Sequence, residues 1–383
     1  MRVALVLYGD LDFISGGFLY DRMLVDYLRR QGEEVEIISL SWRSYPGGLL
    51  DNLSPVLKRR LENIRADVIL QDELAHPSLF WLNRTLRGPG WPPLVAIVHH
   101  LRCSEARPSW QNRLYSLVER RYLASVSGFI FNSRATQESV KALVGRDKPS
   151  VLALPAANRF TVSLTQEDLA ARAREPGPLR LLFLGNVIPR KGLHTLLEAL
   201  ARVPREGWRL TVVGGLEVDR AYVQQMQRQI DGAGLRRQVE FTGILEEEGL
   251  ASRLAQSQVL AVPSSYEGYG IVYLEGMAFG LPALATTAGG AQEIITSGRD
   301  GFLIAPGDAG ALAEQIRTLG DDRDLLLKMS LNAQARFAAH PTWEDAGAAT
   351  HQFLRSLVSV HSRGGPGDRR PPALPSSSPP NPP

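Results

Sequence analysis

Two glutamates, Glu267 and Glu275, stand with seven residues between them in the stretch SSYEGYGIVYLEGMAFGLP, residues 264–282. The apolar run VLAV at 259–262 precedes them and reads as a buried strand, so the stretch begins where a strand of a parallel sheet ends. Gly268 and Gly270 permit a tight turn, and the spacing of Ile271, Leu274, Met277 and Ala278 predicts a helix packed on that sheet. A glycine-bearing turn entering a helix presents unpaired N–H groups and the positive end of the helix dipole, which suits a phosphate. Carboxylates beside a phosphate repel it unless they serve neutral hydroxyls, as on a sugar or a ribose. Glu267, on the loop, would then point into the cleft beyond the strand. Glu275, about a turn into the helix, would reach over the helix end.

A second constellation lies in LLFLGNVIPRKGLHTLLEAL, residues 181–200. Here a strand ends at Gly185, a loop carries Arg190-Lys191-Gly192, and a helix follows. Two cations at the C-terminal end of a parallel strand suit a diphosphate, whose developing charge they would stabilise as a bond to it breaks. Two further candidates lie earlier in the chain: Gly16-Gly17 ahead of a helical stretch, and His99-His100 at the end of an apolar run.

The elements that must position these residues follow a repeating pattern. Residues 2–8 (RVALVLY) read as a strand, and 18–30 as a helix with Leu19, Met23, Leu24, Tyr27 and Leu28 on one face. Strand-like runs recur at 35–40, 68–70, 94–98, 129–131 and 151–154. Residues 174–178 (REPGP) combine Pro and Gly and read as a linker. The pattern then restarts, with strands expected at 179–184, 209–213, 239–241, 259–262, 282–285 and 302–304. Alternating strands and helices predict an α/β protein of doubly wound parallel sheets, with ligands beyond the C-terminal strand ends. The expected domains are 1–174 and 175–342, facing a cleft, followed by an amphipathic helix at 343–360. The Pro/Ser-rich tail, 362–383, is expected to be disordered.

The 383 residues suffice for two such domains, and 44% hydrophobic with 22% charged residues is the balance of a globular chain. Cys103 is the only cysteine, which excludes an intramolecular disulfide and a thiolate metal cluster and favours a reducing compartment. MRVALVLYGD could open a signal peptide, but Gly9 and Asp10 cut its apolar run short, so a first strand is expected. No apolar stretch approaches the roughly 20 residues that span a bilayer. Residues 1–160 hold 21 Lys and Arg against 16 Asp and Glu, while the whole chain is only +3. Basic clusters occur in that half at Lys58-Arg59-Arg60 and Arg120-Arg121. The basic bias admits contact with an anionic membrane surface or acceptor.

Together these motifs resemble the retaining glycosyltransferases of the GT-B fold, family 4 (glycosyltransferase group 1), whose signature is Glu-x7-Glu. The resemblance implies two Rossmann-like domains facing a cleft. It implies that Glu267 contacts the transferred sugar, with Gly268 and the amides near Tyr269 and Gly270, and that Glu275 binds the ribose. Arg190 and Lys191 would grip the diphosphate. Asn186 stands where the family usually has an arginine, and Arg190 would supply that charge. Gly16 and Gly17 match the family's glycine-rich loop near the donor phosphates, and His99, in preference to His100, matches its active-site histidine. Gly243 and Ile244, with Gly214-Gly215, lie where the family encloses the base. Gly289-Gly290 with Glu293 would shape the second-domain core, and the helix at 343–360 would cross back onto the first domain. Gly276 and Phe279 depart from the usual motif at positions away from the expected ligand.

The implied reaction moves a sugar from a UDP- or GDP-linked donor to an acceptor hydroxyl, with no metal or other cofactor. The acceptor would be a saccharide, a lipid-linked or a small molecule, in cell-envelope polysaccharide or glycolipid synthesis, in the cytoplasm or peripherally on the membrane's inner face. Nucleic acid is not an expected partner. The alternatives are a same-fold sugar phosphorylase, a nucleotide-sugar epimerase, or a non-catalytic binding subunit. Asp10-Leu11-Asp12 and Asp322-Arg323-Asp324 fit the short Asp-x-Asp metal pattern of the other large glycosyltransferase fold, and both are read as structural. The chain has no Gly-x4-Gly-Lys-Ser/Thr loop, which argues against an ATPase.

Overall fold

The computed structural model describes residues 1–363, apart from Ile14, Arg87, Pro89 and Ala106. The tail expected to be disordered falls, beyond the helix that ends at Arg363, outside the described residues. The first sheet comprises β1 (Arg2–Tyr8), β2 (Glu34–Leu40), β3 (Val68–Asp72), β4 (Leu94–Val98), β5 (Gly128–Phe131) and β6 (Ser150–Leu152), in the order β2-β1-β3-β4-β5-β6. The second comprises β7 (Leu179–Leu184), β8 (Trp208–Val213), β9 (Val239–Gly243), β10 (Val259–Ala261), β11 (Ala283–Thr286) and β12 (Gly301–Ile304), in the order β12-β11-β10-β7-β8-β9. All the pairings are parallel. Every residue of β3, β4 and β5 is buried, as in a parallel sheet covered by helices on both faces.

The order of each sheet reverses once. In the first sheet the reversal lies between β1 and β3, paired Val3 with Val68 through Val6 with Gln71. In the second it lies between β7 and β10, where Leu181 and Leu182 pair with Val259 and Leu260. Connections leave such a point toward opposite faces, which opens a crevice beyond the strand ends. The loop after β1 leads to Gly16 and Gly17, at the start of the helix Gly16–Arg30. The loops after β7 and β10 carry Arg190-Lys191 and Glu267. The reversals therefore bring the two second-domain motifs side by side.

The chain crosses between the sheets earlier than the Pro/Gly segment at 174–178 suggested. The helix Gln166–Arg174 packs on the second sheet's side, with Leu169 fully buried. Its Arg172 donates to the carbonyls of Ala255 and Phe279 at 3.0 and 2.6 Å, and its Arg172 carbonyl accepts from Gln258 at 2.6 Å. Residues 175–178 thus only turn this helix into β7, and we place the domain crossing before Gln166.

The last helix, Trp343–Arg363, returns to the first domain. Glu33 anchors it, accepting from His351 Nε2 at 2.6 Å while also pairing with the Met1 ammonium. Trp343 meets the Tyr20 ring edge-on at 5.8 Å. Close approach of this helix to Gly16–Arg30 depends on Gly347, where a Cβ would overlap the Tyr27 ring. Replacing a helix-interior glycine by alanine ordinarily stabilises by about 1 kcal/mol. Gly347→Ala should instead destabilise by about 1–3 kcal/mol through overpacking, read as a fall in melting temperature; a rise would show that the helices can separate without cost.

Candidate active site

At the second reversal point, Lys191 Nζ lies 2.5 Å from Glu267 Oε1, and Ser264 Oγ donates to the same oxygen at 2.6 Å. Arg190 Nη1 lies 3.4 Å from Glu267 Oε2 and donates to the Tyr266 carbonyl at 2.8 Å. Ser265 N in turn donates to the Arg190 carbonyl at 2.8 Å, so the two loops are stitched by backbone as well as by charge. Burial alone would favour a neutral carboxyl at Glu267. The cations and the Ser264 hydroxyl outweigh it and hold that group at about 2. Burial also pushes the Lys191 ammonium below its ordinary value, against the pull of Glu267.

Asn186 does not substitute for a cation; its Oδ1 accepts from Gly215 N at 3.2 Å and ties the loops after β7 and β8 together. Gly243 closes β9 and Ile244 stands 54% exposed beside it, an apolar surface at the rim. Gly270 caps the helix Ile271–Ala278. The Tyr269 side chain turns away from the two cations, its hydroxyl 3.2 Å from His340 Nε2, so only its backbone faces the loop. Glu275, inside the helix, is buried and accepts from Arg159 Nε and Nη2 at 2.9 and 2.6 Å, both on Oε1. Nothing local to the glutamate pair announces Arg159, which comes from the segment that joins the sheets.

The first domain presents β4's end to this group. His99 packs under Gly17, where a Cβ would sit 3.1 Å from its Cδ2, and its Nε2 lies 3.2 Å from Asp21 Oδ1. His100 is the more exposed of the pair and bonds Glu105 Oε1 at 3.0 Å. Gly268 contacts the His99 carbonyl so closely that a Cβ would overlap it, and a Cβ on Gly16 would touch Ile271 at 3.7 Å. The candidate residues of both domains therefore converge on one cleft. Glu293, expected in the second-domain core, instead reaches the first domain. It accepts from Arg134 N and Ala135 N at 2.9 and 2.8 Å, because a helix N-terminus offers unpaired amides to a carboxylate.

Behind His99 lies a buried acidic cluster that no motif marked. Burial disfavours the imidazolium, but Asp21, Asp72 and Glu73 together outweigh it and raise His99 to about 9. Asp72 is pushed up to about 7 by burial and by Asp21. Among the described residues, Asp21, Asp72 and His99 place three ligand-type atoms within 4.8 Å, as do Glu73, His76 and Glu119. In the first set His99 Nε2 bonds Asp21 Oδ1 at 3.2 Å, while the buried Asp21 Oδ2 and Asp72 Oδ2 have no hydrogen-bond partner among the described residues. At His76, Nδ1 donates to the Glu73 carbonyl at 2.9 Å and Nε2 accepts from the Tyr45 hydroxyl at 3.1 Å. Asp10 accepts from Asp12 N, and Asp322 caps the helix Arg323–Ala338, so both Asp-x-Asp segments serve local structure.

The depressed Glu267 carboxyl has a measurable consequence. Such a group contributes stability that is present above its unfolded value of 4.5 and is lost as pH falls through its folded value of about 2. The wild type should lose about 3 kcal/mol over that window, a component missing from Glu267→Gln in urea unfolding. Parallel acid limbs in the two proteins would contradict the pairing.

The model of the family described as Glycosyl transferases group 1 matches residues 165–336, and that described as Glycosyl transferase 4-like domain matches residues 25–157. A glycogen synthase of Mycobacterium tuberculosis is 26% identical over 267 residues, which span 68% of this chain and 62% of that protein. Among solved structures, sucrose-phosphate synthase from Thermosynechococcus elongatus superposes with a TM-score of 0.80 at 23% identity, covering 94% of this chain and 99% of that one. The Anabaena protein HepE, in complex with UDP-glucose, superposes with a TM-score of 0.73 at 23% identity, covering 94% and 100%. At such identities the structural likeness shows the fold, which is GT-B: two parallel six-stranded sheets with flanking helices. Since the two family matches take in every strand but β1 and three of the cleft's four motif loops, all but Gly16-Gly17, the chain belongs to the group 1 glycosyltransferases of the family-4 type.

Proposed function

We propose that this chain transfers a sugar from a UDP- or GDP-linked donor to an acceptor hydroxyl, with retention at the anomeric carbon and without a metal. The observation that carries the reading is Glu267 held between Lys191 and Arg190 at the second sheet's reversal point, with His99 and Gly17 across the cleft. The UDP-glucose bound by the similar Anabaena protein supports the donor class. Lys191 offers three N–H donors and gives one to Glu267, so the others remain for a diphosphate. Arg190 adds a second charge from the same loop. Glu267, with the backbone of Gly268, Tyr269 and Gly270, positions the sugar; Glu275 takes the ribose, and Gly243 and Ile244 flank the base. The imidazolium of His99, kept by Asp21, faces the sugar from the first domain, beside Gly16 and Gly17.

As the C1–O bond to the diphosphate breaks, its electron pair remains on the phosphate oxygen, where Lys191 and Arg190 stabilise it. The acceptor oxygen bonds C1 on the same face, and its proton passes to that phosphate oxygen. No dedicated protein base is then required. Removing one charge-stabilising donor typically costs about 100- to 1,000-fold in turnover, and Lys191→Ala should lose at least about 100-fold. Calorimetry with UDP, GDP and their sugar conjugates, with and without EDTA, checks the donor and the metal. Near-normal turnover in Lys191→Ala would remove the assigned role, and EDTA-sensitive binding would remove metal independence.

The first domain's outer surface supports a membrane-proximal acceptor in cell-envelope synthesis, met from the cytoplasmic side. Leu50, Leu53 and Val56 are 67%, 76% and 77% exposed, and Lys58, Arg59 and Arg60 follow on the helix Pro55–Glu62. Exposed apolar side chains beside cations fit an anionic lipid interface. Among the described residues no helix is long and apolar enough to cross a membrane. Sedimentation with phosphatidylglycerol vesicles should carry the wild type down and leave Leu53→Glu/Val56→Glu in solution; equal partitioning would exclude this surface.

A further inference from the structure

Arg159 belongs to none of the motifs, yet its guanidinium is the only hydrogen-bond partner that Glu275 has among the described residues. Both of its bonds fall on Oε1, leaving Oε2 as an acceptor without a donor. The Glu275 side chain is 5% exposed and that of Arg159 is 25% exposed, so this pair is not a solvated surface contact. A buried carboxylate needs such a partner, since an uncompensated charge there costs several kcal/mol.

The surroundings hold Arg159 in place from both sides. The preceding residue, Asn158, accepts from Trp343 N at 3.2 Å, which ties it to the helix that returns to the first domain. The following residue, Phe160, meets Phe279 edge-on at 5.5 Å, directly after the helix that carries Glu275. The guanidinium also lies over the Phe160 ring, with Cζ 4.3 Å from its centroid. Nη1 is 3.8 Å from Glu247 Oε2, at the start of the helix that follows Ile244. Arg159 thus sits between the proposed ribose carboxylate and the proposed base rim, on the chain segment that joins the two sheets.

We infer that Arg159 is a positioning residue for the nucleotide: its fork fixes Glu275 through Oε1 so that Oε2 accepts the donor's ribose hydroxyls. The inference rests on the donor-site reading above and deepens it. Two N–H groups of one planar guanidinium converge on Oε1, so Arg159 holds that oxygen by directed bonds as well as neutralising the carboxylate, which a point charge does not. Without it Glu275 retains its place in the helix but loses its orientation and its compensating charge. Because the segment around Asn158 is anchored to the first domain, ribose recognition is also tied to how the domains sit on each other.

The test uses the full chain and calorimetric binding of UDP and GDP with their 2′-deoxy counterparts. The wild type should prefer the ribonucleotide it binds over its 2′-deoxy form. Arg159→Ala should weaken ribonucleotide binding at least tenfold and bring that preference close to one. Arg159→Lys should restore part of the affinity and little of the preference, and it carries the same comparison if the alanine variant does not fold. Unchanged or tighter ribonucleotide binding in the variants would overturn the inference, as would weaker binding with the preference intact, which is the mark of a structural role. Wild-type protein that binds neither UDP nor GDP would instead remove the donor-site reading itself.

Discussion

A glutamate side chain only 8% exposed is a liability until its charge is met, and in this chain the second domain is arranged around meeting it at Glu267. The compensating cations come from a loop about 76 residues earlier, and only the adjacency of β7 and β10 brings them within reach. That adjacency is the reversal of strand order, so the sheet topology and the ion pair imply each other. The hydrogen bond from Ser264 and the backbone bond between Ser265 and Arg190 then leave the carboxylate little freedom. A group so held is pre-organised. Its hydrogen bonds need no rearrangement when a ligand arrives, which is how a polar site acts on charge at low cost.

The first domain solves a different electrostatic problem. Asp21, Asp72, Glu73 and Glu119 are all buried near His99 and His76. Full ionisation of so many carboxyls is not tenable, and burial pushes Glu73 and Glu119 up to about 8 and about 7. His99 takes the cationic role in this cluster, whereas burial pushes His76 down to about 4 and leaves it neutral. Two histidines on neighbouring elements thus acquire opposite protonation states from their surroundings alone. The cluster supports the wall of the cleft at β4's end, where the cationic imidazole stands.

Contacts between the domains use backbone groups as much as side chains. Gly268 lies against the His99 carbonyl, Glu293 caps a first-domain helix, and Asn158 with Arg159 binds both sides of the crossing. Each would be lost or altered if the cleft opened. The position of one domain on the other and the state of the site are therefore coupled through these polar contacts, alongside an apolar core that runs from the first sheet into the second.

Periodicity was enough to predict the parallel α/β class and the twelve strands, since β-branched and leucine runs bounded by Gly and Pro are local signals. It also located the loops of Lys191 and Glu267, because both follow directly from a strand end. The strand order, and with it the contact between those loops, was not legible; pairing is set by packing among segments far apart in the chain. For the same reason the segment at 174–178 read as a linker, whereas tertiary packing of the helix Gln166–Arg174 made it an ordinary turn within the second domain. Asp21 and Arg159 show the limit most directly. An isolated charged residue carries no local pattern, and its meaning comes only from the partner that the fold sets opposite it: an imidazole for the one and a buried carboxylate for the other.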